Sequence, residues 1–399
     1  MSLLLANLAV SGCQPQSQLP DTSPAPTEPA PAPTPPISEN LSARELLDLG
    51  FQLFEQGKFE ESLAAFDKAI ELEPDNATNY SDRGNVYLQL GEYEKAIADY
   101  DQSIKLQGSN VSAYTQRGYA YFLSGMPDKA LNDYNAAIRM GPDFARTYRY
   151  RAIYYDSIDD LEKAIADYTT ATQLDPEDGE SFNNRGVAYA KTRRYELAIG
   201  DFKKATELFP RYAEAYRNLG YTYESLGDYQ QAFANYDKAI EILPTYAEAY
   251  YNRGFAYFQR ELYVQAISDL THAIDLNFGS PEAYYWRGYS YYAQKDFDNA
   301  INDFSKAIEL EPGFVDAYIE RGNTYFLLGE DEEAILDYSR AIDLDAKNVR
   351  AYLNRGLAYK EVGKKAEAIA DLEMFIKLSP PGDVTAQAKQ EVERLKNSD

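Results

Sequence analysis

One 34-residue sentence is written again and again along this chain. In residues 281–314 it reads PEAYYWRGYSYYAQKDFDNAINDFSKAIELEPGF, and a step of 34 residues in either direction meets the same pattern. In register, ten units begin at Ala43, Ala77, Val111, Ala145, Gly179, Ala213, Ala247, Pro281, Val315 and Val349. A length of 399 residues would ordinarily suggest two or three globular domains. A fixed period overrides that expectation, because a repeat array grows by stacking units and not by enlarging one core.

Within each unit the apolar or small residues fall at positions 4, 8 and 11, then again at 20, 24 and 27, so two helices each present one face. A short turn lies between them, with Gly at position 15 in Gly57, Gly91, Gly125, Gly227, Gly329 and Gly363. Pro at position 32, as in Pro74, Pro142, Pro176, Pro210, Pro244, Pro312 and Pro380, ends the second helix by forbidding its continuation. Each unit is therefore a helix–turn–helix hairpin that completes its core only by stacking on its neighbours.

Period, helix count and the large–small–large pattern resemble the tetratricopeptide repeat over residues 43–382. The resemblance implies an all-α fold, a right-handed superhelical solenoid of ten hairpins. Departures are few: Leu46, Leu49 and Leu53 in the first unit, Ala152 for Gly in the fourth, and Phe375 at a small position in the last. Residues 383–399 hold a capping helix and tail, with Asp383 expected as N-cap and Val384, Ala388, Val392 and Leu395 on one face.

Charge and composition narrow the function. A net charge of −25 argues against binding a phosphate backbone and favours, if anything, basic partners. With one His (His272) and one Cys (Cys13), histidine triads, His/Cys zinc sites and disulfides are excluded. The expectation is a non-enzymatic chain, with no cofactor and no small-molecule substrate. His272 is most simply a helix-surface residue.

Residues 4–10 (LLANLAV) are a short apolar run, and 1–12 are expected to be a signal peptide. Val10-Ser11-Gly12-Cys13 resembles the lipobox of bacterial lipoproteins, which implies acylation of Cys13 and a lipid anchor in the cell envelope; no Lys or Arg precedes that Cys. Residues 13–42 read as an extended tether, with nine of the nineteen prolines in 14–36.

Two positions look functional. Position 7 carries Arg83, Arg117, Arg151, Arg185, Arg253, Arg287, Arg321 and Arg355, which could form a ladder for anions. The same eight units carry Asp at position 23: Asp99, Asp133, Asp167, Asp201, Asp269, Asp303, Asp337 and Asp371. The two units without the Arg, with Leu49 and Leu219, also lack the Asp, so the economical reading is an ion pair tying the two helices of each hairpin. Of 36 tyrosines, 22 stand at positions 4, 11 and 24 and read as core.

In tetratricopeptide superhelices positions 2, 5, 9 and 12 line the concave groove, so the resemblance implies that these residues meet a ligand. In units seven and eight this stripe is aromatic: Tyr251, Phe255 and Phe258, then Tyr285, Tyr289 and Tyr292, with Tyr221 before, Phe326 after and Trp286 adjacent. The stripe reads either as a binding hot spot or as packing between neighbouring first helices. Asn184, Asn218, Asn252 and Asn354 at position 6 resemble, in part, the asparagine ladder of O-linked glycosyltransferase arrays, which holds a peptide backbone. Position 2 carries Glu180, Glu214, Glu248, Glu282 and Asp316, which either favour the helix dipole or select basic segments. The expected function is a scaffold binding extended segments of other proteins and assisting assembly of envelope complexes. The alternatives are a targeting array for a partner enzyme, or a cytoplasmic adaptor.

Overall fold

The computed structural model describes residues 41–397; the expected signal peptide, Cys13 and nearly all of the tether lie outside the described residues. Every described element is an α-helix. They form two compact units, divided after Thr222. The first holds α1 (Ala43–Glu55), α2 (Phe59–Leu72), α3 (Ala77–Gln89), α4 (Tyr93–Leu106), α5 (Val111–Leu123), α6 (Pro127–Met140), α7 (Ala145–Ser157), α8 (Leu161–Leu174), α9 (Gly179–Lys191) and α10 (Tyr195–Leu208). The division falls within α11 (Ala213–Ser225). The second unit holds α12 (Tyr229–Ile242), α13 (Ala247–Gln259), α14 (Tyr263–Asp275), α15 (Pro281–Ala293), α16 (Phe297–Leu310), α17 (Val315–Leu328), α18 (Asp331–Leu344), α19 (Val349–Glu361), α20 (Lys365–Leu378) and α21 (Asp383–Asn397).

First helices begin where the register places position 1 in all ten repeats. In each unit a first helix packs on its own second helix, that second helix on the next first helix, and successive first helices touch, as α3, α5, α7 and α9 do in one unit and α13, α15, α17 and α19 in the other. Position 8 is small because the ring or branched side chain at position 24 lies directly over it. A methyl group on Gly84 would sit 2.9 Å from the Tyr100 ring, and one on Gly118 2.7 Å from Tyr134. The position-20 alanines Ala96, Ala130, Ala164 and Ala300 are fully buried for the same reason of space.

The turn at position 15 is left-handed in every repeat where it is described. Six of these residues are the glycines, with φ of 73° to 79°, but Asp159, Arg193, Glu261 and Lys295 hold the same conformation at 59° to 63°. A side chain costs about 1–2 kcal/mol there, although glycine gives part of that back in unfolded-state entropy. Lys295→Gly is therefore expected to stabilise the protein by about 0.5–1 kcal/mol. Urea unfolding tests this, and a loss of stability would show that Lys295 is held by something other than the turn.

The ends differ from the interior as an array requires. Ser42 caps α1 and accepts from the Glu45 amide while the Glu45 carboxylate accepts from the Ser42 amide, a reciprocal capping box. At the other end α21 lays Ala388 and Val392 onto Leu353, Leu372 and Phe375, and Lys396 reaches Glu373 at 2.8 Å. Phe375 fills a place that alanine occupies in other repeats. Asp383, expected as the N-cap, is instead the first helical residue; the Gly382 carbonyl accepts from the Ala386 amide at 2.9 Å and holds the cap position.

Candidate functional site

The eight position-7 arginines each grip the aspartate at position 23 of their own hairpin with two parallel bonds. Arg287 donates from Nε to Asp303 Oδ2 and from Nη2 to Asp303 Oδ1, both at 2.7 Å. The same fork joins Arg83 to Asp99, Arg117 to Asp133, Arg151 to Asp167 and Arg185 to Asp201. It joins Arg253 to Asp269, Arg321 to Asp337 and Arg355 to Asp371 as well. Burial pushes the Asp303 carboxyl up from its ordinary value against the bonds and charge of Arg287, so the aspartate depends on that guanidinium to stay ionised.

The sequence did not disclose the third contact. Nη1 of each arginine reaches back to the preceding repeat, where it meets Asp67, Asp101, Asn135, Thr169, Asp237, Thr271, Ser305 or Ser339. All eight stand at position 25, so the arginine fastens one hairpin to the last as well as its own two helices. One signal was available: position 25 holds Lys203 before the repeat whose arginine is replaced by Leu219. Tyrosines at positions 4 and 11 flank these cations, with the Arg83 guanidinium 5.9 Å from the rings of both Tyr80 and Tyr87. Those tyrosines are mostly half-buried, and the full burial expected of all three tyrosine positions holds for position 24.

In the second unit the aromatic stripe forms one continuous cluster of rings. Tyr285 and Trp286 are 1% and 5% exposed, and Tyr251 is buried too. Trp286 lies across the preceding first helix, 5.0 Å from the Phe255 ring and 4.8 Å from Phe258. Tyr285 faces inward to Phe304 and Phe314 at 5.8 and 5.0 Å. These three side chains are packing between repeats. Phe255, Phe258, Tyr289 and Tyr292 are half-buried and lie over that layer, with Tyr289 5.3 Å from Phe258 and 5.9 Å from Tyr292. Burial, then the nearby Glu320 carboxylate, pushes the Tyr292 hydroxyl up to about 12. Phe326 packs with a separate cluster around Ala334 and Tyr338, and Tyr221 belongs to the first unit.

The asparagines at position 6 are largely engaged with one another's neighbours. Asn218 donates to Asn183 Oδ1 at 3.0 Å and accepts from Arg217 at 2.8 Å. Asn184 accepts from Asn183 at 3.3 Å, and Asn354 donates to Asn323 Oδ1 at 2.8 Å. Asn252 is half-buried on α13. Three of the five acids at position 2 are partnered: Glu180 binds Arg149 beside Asp178, Glu214 accepts from Asn183 at 3.4 Å, and Asp316 binds Arg350 together with the buried Glu320.

Position 24 accounts for polar residues on the first helices. Its tyrosine hydroxyls cross the hairpin and emerge among the polar groups of the first helices, where Tyr100 donates to Asn85 at 2.8 Å and Tyr338 to Asn323 at 2.9 Å. Asn stands at position 9 in those two repeats alone, and both have Tyr at 24. Tyr236 instead donates to Glu224 at 2.6 Å. Burial outweighs that bond and holds the Glu224 carboxyl up to about 7. A carboxyl raised on folding contributes stability that is full below about pH 4.5 and is lost as pH rises through about 7. Glu224→Gln is thus expected to leave thermal stability near pH 4.5 unchanged and to raise it at pH 8 by about 1–2 kcal/mol. An equal effect at both pH values would mean that Glu224 is not the titrating group.

Sequence profiles described as "TPR repeat" match residues 50–91, 84–125, 153–192, 223–261 and 322–363. Profiles described as "Tetratricopeptide repeat" match 111–144, 179–212, 202–234, 247–279, 281–314 and 349–381. The chain belongs to the tetratricopeptide repeat family. A comparison with the curated proteins finds no match. Among solved structures, this tetratricopeptide repeat protein is similar to the C-terminal part of a TPR repeat-containing protein from Cytophaga hutchinsonii, with 20% identity, TM-score 0.51, and 60% of this chain and 98% of that one covered. It is similar to the human IFIT1 dimer with PPP-AAAA, at 19% identity and TM-score 0.51 over 77% of this chain and 73% of that one. YrrB, a TPR protein with an unusual peptide-binding site, is 28% identical over 46% of this chain and 95% of its own, with TM-score 0.38. The fold is consistent with protein–protein interaction.

Proposed function

We propose that this tetratricopeptide repeat protein is a non-catalytic scaffold that binds extended segments of other proteins along its first-helix face. The observation that carries this reading is the double layer of rings in repeats seven and eight. Tyr285 and Trp286 already fill the joint between α13 and α15, yet Phe255, Phe258, Tyr289 and Tyr292 add a second, half-exposed layer above them. A contiguous ring surface beyond what stacking requires has the chemistry of a contact for another chain. Asn252, at position 6 of the same face, adds an amide able to donate and accept toward a peptide backbone.

A photo-crosslinking residue at Tyr292 is expected to form adducts with partner proteins in the native source, and the same residue at Leu336, exposed on a second helix, is expected to form few. Equal yields at the two positions would remove the aromatic face as the binding surface. We propose also that Cys13 carries a lipid that anchors the array at an envelope membrane through the Pro-rich stretch, where assembly of envelope complexes is its setting. The lipobox-like Val10–Cys13 supports this. Metabolic palmitate labelling that survives Cys13→Ser would remove the anchor.

A further inference from the structure

On the first-helix face of repeats two and three, two acceptor oxygens stand without a donor. Asp82 Oδ2 on α3 and Gln116 Oε1 on α5 are both buried and make no hydrogen bond. Each flanks Asn85: Asp82 lies one helical turn before it, about 5–6 Å away on the same face, and Gln116 Nε2 donates to Asn85 Oδ1 at 3.2 Å. Asn85 Oδ1 also accepts from Tyr100, which spends the Tyr100 hydroxyl hydrogen, and the Asn85 amide N–H groups reach neither of the two oxygens. Gln116 is 9% exposed, and Asp82 keeps a partly open side. One turn along α5 from Gln116 is Tyr119, whose ring stacks on Tyr150 of α7 at 4.3 Å and 13°, while the Arg149 guanidinium lies over Tyr150 at 5.5 Å.

A bare buried carboxylate oxygen is costly unless a donor reaches it. The acids on the neighbouring helices, Asp67 of α2 and Asp99 of α4, are both held by Arg83 and compete for no new cation. Burial alone holds the Asp82 carboxyl up to about 7, with no charged side chain contributing. A group that satisfies an ionised Asp82 and Gln116 Oε1 together is one that carries several N–H donors and a positive charge.

We propose that Asp82 and Gln116 form a subsite for the guanidinium of an arginine in a bound protein segment, with Tyr119 of α5 as the nearest ring on the same helix as Gln116. This rests on the scaffold reading and gives it a partner chemistry. The guanidinium donates to the Asp82 carboxylate and to Gln116 Oε1, and its planar fork suits two acceptors on adjoining helices.

The probe is a fluorescein-labelled Ala-Arg-Ala-Arg-Ala-Arg amide, read by fluorescence anisotropy with the full chain at 150 mM salt, beside the same peptide with citrulline for arginine. The arginine peptide is expected to bind at least about tenfold more tightly than the citrulline peptide. Asp82→Asn erases that advantage, Gln116→Glu increases it, and Glu71→Gln, an exposed acid on α2, changes it less than about twofold. Because burial keeps Asp82 protonated below about pH 7, the arginine peptide also tightens between pH 6 and 8 in the wild type and not in Asp82→Asn. An unchanged preference in Asp82→Asn, an equal loss in Glu71→Gln, or no binding of either peptide overturns the subsite. The scaffold reading stands or falls separately, on the adducts at Tyr292 in the other unit.

Discussion

Asp303→Ala is expected to destabilise the second unit by about 3 kcal/mol, because it leaves the half-buried Arg287 guanidinium with a single acceptor, Thr271. The double variant Arg287→Leu/Asp303→Asn should lose clearly less. It removes both charges at once and writes into repeat eight the combination that repeat six already carries at Leu219 and Asn235. The asymmetry follows from where the cost lies: an unpaired buried charge keeps its desolvation penalty, whereas a missing pair forfeits only the net gain. The loss should also spread to the repeat before it, since the Arg287 Nη1 bond ends on α14 at 3.1 Å. Thermal and urea unfolding of the two variants decide the matter. Equal losses, or a double variant as weak as the sum of its parts, would mean that the fork is not what holds the hairpin.

That pairing was legible in the sequence because both partners vary inside one chain and vary together. The contact at position 25 was harder to read, since Asp, Asn, Thr and Ser share little except an oxygen that can accept. Helix boundaries, the short turns at position 15 and the end-capping helix followed from period and residue type, which act locally. The groove did not follow so directly. Positions 5, 6 and 9 lie within one turn of each other, and whether a ring there is covered depends on how closely the next first helix approaches. Trp286 and Tyr285 are thus buried while Tyr289, one turn on, is half open, although all three looked alike as letters. Asp82 and Gln116 stand at position 6, where other repeats carry asparagine; their interest is the lack of a donor, which no spacing expresses.

The burial of Trp286 leads to the other large effect. Trp286→Ala should cost about 3–5 kcal/mol, the range for deleting a large buried ring that its surroundings cannot collapse to fill. Its neighbours Phe255, Phe258 and Tyr285 stand at 5.0, 4.8 and 4.7 Å, so ring–ring contacts are lost on both sides of the joint. Tyr292→Ala, in the half-open outer layer, should cost no more than about 1–2 kcal/mol. Trp286 is the only indole in the chain, so the comparison is made by circular dichroism and calorimetry and not by fluorescence. If both variants cost the same small amount, Trp286 is a surface group and belongs to the binding face. If Trp286→Ala alone melts the second unit, a loss of partner binding in that variant reports unfolding. Phe258 and Tyr292 are then the side chains whose removal tests recognition, because the array does not need them to stand.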